Sequence, residues 1–157
     1  MRKRIGLLVI LAAAGLAVGN TGLREQPAED AAIEQLIHQM ASAYNKKDLL
    51  IFEKVCDPDI LFVEAGNKYV GWADFRDNNL KMEWDMLSDG FSWNTGKIQV
   101  HFVDKEFAWA THEGSFQGKM KDGTQLQESL VETYLFQKKS GAWKLVHAHI
   151  SSRPIPK

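Results

Sequence analysis

The spacing of apolar and polar positions changes character several times along the chain. Ile5 to Val18 is an unbroken uncharged, apolar run. From about residue 30 a helical period takes over: Ile33, Leu36, Ile37, Met40, Ala41 and Tyr44 fall on one face of a 3.6-residue repeat. Glu29 and Asp30 suit the positive end of that helix, and Lys46 and Lys47 the negative end. Asp48 is placed to cap a second, short helix through about Val55, which Asp57-Pro58 closes. Ile60 to Glu64 then alternates with period two, Gly66-Asn67 reads as a turn, and a short strand follows around Tyr69-Val70. Trp72 to Leu87 predicts a third helix, with Phe75, Leu80, Trp84 and Leu87 along one side and Asn78-Asn79 interrupting it. Beyond Gly90, four long strands are expected at about 91–103, 106–119, 124–138 and 142–152. Asp104-Lys105, Lys121-Asp122-Gly123 and Ser140-Gly141 supply the turns between them. Strands of this length bend, so bulges are expected.

Helices gathered before a meander predict an α+β fold with the helices on one sheet face. In the last strand Trp143, Leu145, His147, His149 and Ser151 alternate with Lys144, Val146, Ala148, Ile150 and Ser152. Neither set is cleanly polar, unlike a sheet with one wet face. Both faces are therefore expected to be covered, one by helices and the other by a partner subunit in a homo-oligomer. In strand 106–119, Ala108, Ala110, His112 and Gly114 share a face. Small residues there either open a cavity into which His112 projects or let the helices pack close.

Composition adds location. The chain has 157 residues, a formal net charge of −1, 45% hydrophobic and 25% charged residues, and one cysteine. That suits one globular domain and excludes an intrachain disulfide framework. The near-neutral balance offers no electrostatic footprint for nucleic acid. The charge is uneven, however: Arg2, Lys3 and Arg4 precede the apolar run, and the remainder carries 16 basic and 20 acidic groups, a net of −4. A cationic start, an apolar stretch too short to span a bilayer, and Ala17-Val18-Gly19 with small residues at −3 and −1 form the pattern of a secretory signal peptide. The expected organisation is a signal peptide over 1–19 cleaved after Gly19, a linker over 20–29 containing Pro27, and one domain over 30–153. Periplasmic or secreted localisation follows, with the membrane met only through the export signal; an uncleaved N-terminal anchor is the alternative.

Several residue strings resemble a known family. Val55-Cys56-Asp57-Pro58 with Glu64 downstream, Gly66-Asn67, Glu132-Thr133, and Gly141 to Ser151 with its Trp-x-x-Val-His-x-His-x-Ser pattern are similar to the association domain of calcium/calmodulin-dependent protein kinase II. That domain belongs to the nuclear transport factor 2-like (SnoaL-like) superfamily. The resemblance implies a cystatin-like cone, a curved antiparallel sheet wrapped around a long N-terminal helix, with a pocket inside and a dimer through the outer sheet face. No kinase domain accompanies it here. The pocket arginines of the kinase domains match Gly114, Tyr134 and Ile150, so a carboxylate ligand of that type is not implied. Arg76 falls near a further polar pocket position.

The expected pocket residues are Tyr44, Phe62, Glu64, Trp72, Arg76, His112, Tyr134 and Ile150. Glu64, Glu132 and His112 are acid–base candidates, with Glu64 otherwise an ion-pair partner for Arg76. A superfamily relative, ketosteroid isomerase, works with a carboxylate base and a tyrosine-containing oxyanion hole. Tyr44, Tyr134 and Glu64 match those groups by type only. His147 and His149 lie two apart on one strand, too few ligands for a metal site, and no cofactor is expected. Cys56 reads as a small buried hydrophobe rather than a reactive thiol. The expected function is an exported dimeric domain whose pocket binds a small, largely apolar molecule. The alternatives are a related isomerase, cyclase or dehydratase, and a ligand-free oligomerisation module.

Overall fold

A computed structural model describes the chain from Gly22 to Pro156, so the expected export segment over 1–19 lies outside the described residues. Helix α1 spans Gly22–Lys46 and buries Ile33, Ile37, Met40 and Ala41. It begins inside the segment expected as a linker, with Pro27 within it. Pro27 removes a single ladder donor near the helix start, while Leu23, Arg24, Glu25, Gln26 and Ala28 are good helix formers. Asp48 caps helix α2 (Leu49–Val55), its side chain accepting from Leu50 N at 3.0 Å.

Six strands form one sheet: β1 Cys56–Glu64, β2 Asn67–Val70, β3 Ser92–Phe102, β4 Phe107–Lys119, β5 Gln125–Lys139 and β6 Ala142–Pro154, in the order β2-β1-β6-β5-β4-β3. The architecture is the α+β, cystatin-like cone. The sheet is not wholly antiparallel, because β1 and β6 run parallel, with Phe62 opposite Ala148. The segment after β2 carries the chain to the far edge before the meander begins, so β6 returns beside β1 in the same direction.

The third helix is divided. Helix α3 (Trp72–Phe75) passes into a π-helical turn (Arg76–Leu80) and then helix α4 (Lys81–Met86). Asp77, Asn78 and Asn79 are weak helix formers that compete for backbone hydrogen bonds, and π turns concentrate at functional sites. A register shift in β6 has a comparable effect: Leu145 faces Phe136 while His147 faces Leu135, leaving Val146 as the extra residue of a bulge. Trp143 and Leu145 are buried, and after the bulge Ala148 and Ile150 take over the inner side. The one-face set Trp143, Leu145, His147, His149 expected from strict alternation is therefore broken in two, with His149 exposed. Ala108 and Ala110 are fully buried in the core and do not border open space.

Candidate active site

A cavity of about 220 Å³ lies between α1, the α3–α4 segment and the inner face of the sheet. Its walls are mainly apolar and aromatic, with Met40, Phe62, Phe75, Trp93, Phe116 and Leu145 among them. Four carboxyl groups, those of Glu64, Glu83, Glu128 and Glu132, share this space, together with Tyr44, Asn79 and Tyr134. A second depression adjoins the cavity and shares Glu64, Asn79, Glu83 and Glu128 with it, so these groups stand where the two meet.

Each polar group is delivered by a local feature. Glu64 ends β1 just before the turn at Ala65 and Gly66, both of which hold positive φ (49° and 79°). The π turn directs Asn79 inward, where it is 8% exposed and its Nδ2 donates to Glu64 Oε2 at 2.9 Å. Glu83, four residues on, accepts from Tyr44 OH at 3.1 Å. Tyr44 is held by a ring of aromatics, with Trp93 and Phe91 centroids at 5.5 and 5.6 Å. Along β5, unbroken pairing with β4 places Glu128, Glu132 and Tyr134 on one face.

Burial sets the electrostatics. It pushes Glu83 up to about 8, with the neighbouring Glu64 charge adding to the rise and the bonds from Tyr44 and Asn79 opposing it. Burial likewise raises Glu64, opposed by the Asn79 bond and reinforced by Glu132 and Glu128. Two carboxyls that interact directly in a low-dielectric space cannot both ionise cheaply, so the pair holds a proton at neutral pH. Tyr44 and Tyr134 are both driven above their ordinary values by burial and by the carboxyls beside them, and serve as hydrogen-bond donors.

Glu132 reaches the deepest point of the group and is 1% exposed. Its Oε2 accepts from Tyr134 OH at 2.6 Å and also bonds His112 Nδ1. Its Oε1 is buried without a partner, as is His112 Nε2.

Of the eight residues expected in the pocket, Tyr44, Phe62, Glu64, Tyr134 and Ile150 line the cavity. The other three do not. Trp72 is buried in the core, parallel to Phe52 with centroids 6.2 Å apart, because α3 turns it toward α2. Arg76 faces outward from the π turn and pairs with Asp77 at 2.6 Å, while Glu64 takes Asn79 rather than an ion pair. His112 is fully buried behind Glu132, its ring against Trp93 and Tyr134. Gly114 is needed beside it, since a Cβ there would stand 2.9 Å from both Asn94 O and His112 Cε1; an arginine at this position has no room. Cys56 borders the cavity and burial pushes its thiol up to about 12, leaving it an uncharged wall group.

Asn79, Glu83 and Glu128 were not among the expected residues. Glu128 had a signal, because it shares its alternation with Leu126, Leu130 and Tyr134, and an acid on an otherwise apolar face asks for an explanation. Asn79 and Glu83 lie one helical turn apart, but only the π turn decides which way Asn79 faces. Among the described residues no group of three or more histidines, cysteines and acids is placed to hold a metal ion.

Comparison with known proteins gives a consistent result. The family model of the SnoaL-like domain matches residues 33–156. Hexachlorocyclohexane dehydrochlorinase LinA-type3 from Novosphingobium barchaimii LL02 is similar in structure, with TM-score 0.75 and 18% identity over 83% of this chain and 92% of that one. A nuclear transport factor 2-like superfamily protein from Salmonella enterica serovar Typhimurium LT2 gives 0.74 and 18%, over 83% and 94%. A proposed ketosteroid isomerase from Shewanella frigidimarina NCIMB 400 gives 0.66 and 19%, over 74% and 92%. At such identities the likeness shows the fold. No curated protein matches the chain.

Proposed function

The chain belongs to the SnoaL-like domain family, and from that premise we propose that it is an enzyme moving a proton on a small, largely apolar molecule held in the cavity. The observation that carries this is the Glu64–Glu83 pair, a proton-holding couple set in an apolar space. Acid–base catalysis is most effective when the group's pKa lies near the working pH, and such displaced values mark functional sites. Glu83 holds the proton and acts as acid; Glu64, its Oε2 fixed by Asn79, is the base. The aromatic walls take the substrate body and exclude water. The reaction class is isomerisation or elimination, in which a proton leaves one carbon and returns elsewhere or departs with a leaving group. A dehydrochlorinase and a proposed isomerase of the same fold support that class by analogy.

Two further features complete the proposal. Export is supported by Arg2, Lys3 and Arg4 ahead of Ile5–Val18 and by the small residues Ala17 and Gly19 at −3 and −1 of the expected cleavage point. A homodimer through the outer sheet face is supported by Trp109, 37% exposed, and Val131, 57% exposed, on strands whose outer sides no helix among the described residues covers.

The test is deuterium uptake. Cyclic unsaturated ketones and chlorinated or hydroxylated rings are incubated with the protein in D2O and analysed by mass spectrometry. At least one should either exchange a carbon-bound proton or lose acid or water to give an alkene, both read as a change of mass. Glu64→Gln should slow that reaction by about 10²–10⁴-fold, and the rate should fall above about pH 8 as Glu83 loses its proton. Exchange and elimination no faster with wild type than with Glu64→Gln would refute the reading.

A further inference from the structure

The same cavity carries information about the charge of its ligand. We infer that it is built for an organic cation, a protonated amine on a small apolar body; this rests on the cavity being the ligand site.

The first observation is the balance of groups. Among the described residues four carboxyls line the cavity, and no lysine, arginine or histidine does. Burying anions without a partner of opposite charge is costly. One proton shared by Glu64 and Glu83 relieves part of the cost and His112 stands against Glu132, but no cation in the lining faces Glu128. The second observation is independent of the charge count. Glu132 is 1% exposed; its Oε2 is met by Tyr134 and His112, and its Oε1 has no donor among the described residues. A carboxyl oxygen left without a donor is a free acceptor. The polar end of a complementary ligand must therefore donate, which disfavours carboxylates, phosphates and other anions. An ammonium N–H supplies both the donor and the charge.

The walls fit such a ligand. Tyr44, Trp93 and Phe116 present aromatic rings to the cavity, and ring faces attract cations. The volume of about 220 Å³ exceeds the roughly 150 Å³ of an apolar cavity that holds benzene. An aromatic or alicyclic ring bearing a short dialkylamino group is about the right size.

The inference is tested with a matched pair of probes, N,N-dimethylbenzylamine and isobutylbenzene, which have the same shape with carbon in place of nitrogen. Binding to the full domain at neutral pH is read by calorimetry and by tryptophan fluorescence. The amine should bind about tenfold or more tightly than the hydrocarbon, in line with buried charge pairs elsewhere. Glu132→Gln should remove most of that preference, with circular dichroism reading whether the variant is folded. Glu128→Gln, at the mouth, should reduce the preference in the same direction. Equal affinity for the two probes, or a preference indifferent to both substitutions, would overturn the cation inference and leave the pocket reading intact. Binding of neither probe would overturn both.

Discussion

Glu83→Gln should make the protein more stable at pH 9 by about 3–5 kcal/mol and change it little at pH 4. The sign follows from linkage. Burial and the Glu64 charge raise Glu83 in the folded state from 4.5 to about 8. Below the unfolded value both states are protonated and the group costs nothing. Between 4.5 and 8 the unfolded chain releases its proton while the folded chain keeps it, so stability falls as pH rises. Above 8 the full cost is present, about 3–5 kcal/mol at 1.36 kcal/mol per pKa unit. Glutamine has the shape of the protonated acid and no charge to desolvate, so the variant should lose this slope. Chemical denaturation across pH 4–9 measures it. Parallel pH profiles for the two proteins would show that Glu83 is not held protonated. The same substitution should abolish the acid function, a trade between stability and activity expected where a site is built from destabilised groups.

His112→Phe should act in the opposite direction, costing about 3–5 kcal/mol. His112 is fully buried and bonds the 1% exposed Glu132. Phenylalanine can keep the ring contacts with Trp93 and Tyr134, so the loss isolates the polar interaction. Glu132 would then retain only Tyr134 as a partner. Removing one member of a buried pair leaves the other uncompensated, whereas removing both can be nearly neutral. The double variant His112→Phe/Glu132→Leu should therefore recover most of the lost stability. A double variant as unstable as the sum of its parts would mean that the two residues do not act as a pair.

What could be read from the chain depended on whether a feature is local. The face of α1 was legible because Ile33, Ile37 and Met40 repeat with the helical period. The strands of the meander were legible because Asp122-Gly123 and Ser140-Gly141 mark its turns. The parallel pairing of β1 with β6 joins segments far apart in the chain, and nothing near Phe62 or Ala148 announces it. At the site, Glu64 and Tyr134 follow from strand alternation, and Tyr44 from the apolar stripe of α1. Single-residue irregularities hid the rest. Val146 reverses the alternation of β6, and the π turn at Arg76–Leu80 turns Asn79 in and Arg76 out. One added residue changes which face a side chain occupies, and periodicity cannot anticipate it.

Family membership positions a cavity but leaves its chemistry open, since one fold hosts unrelated functions. Here the proposed chemistry rests on carboxyl groups gathered where, among the described residues, no cation lines the wall. The central claim is that Glu83 carries a proton through neutral pH. It is tested most directly by carbon-13 NMR of the glutamate carboxyls, with Glu83 assigned by its loss in Glu83→Gln. The Glu83 resonance should stay at its protonated position through neutral pH and move only near about pH 8. Titration of Glu83 near the ordinary value of 4.5 would contradict the account.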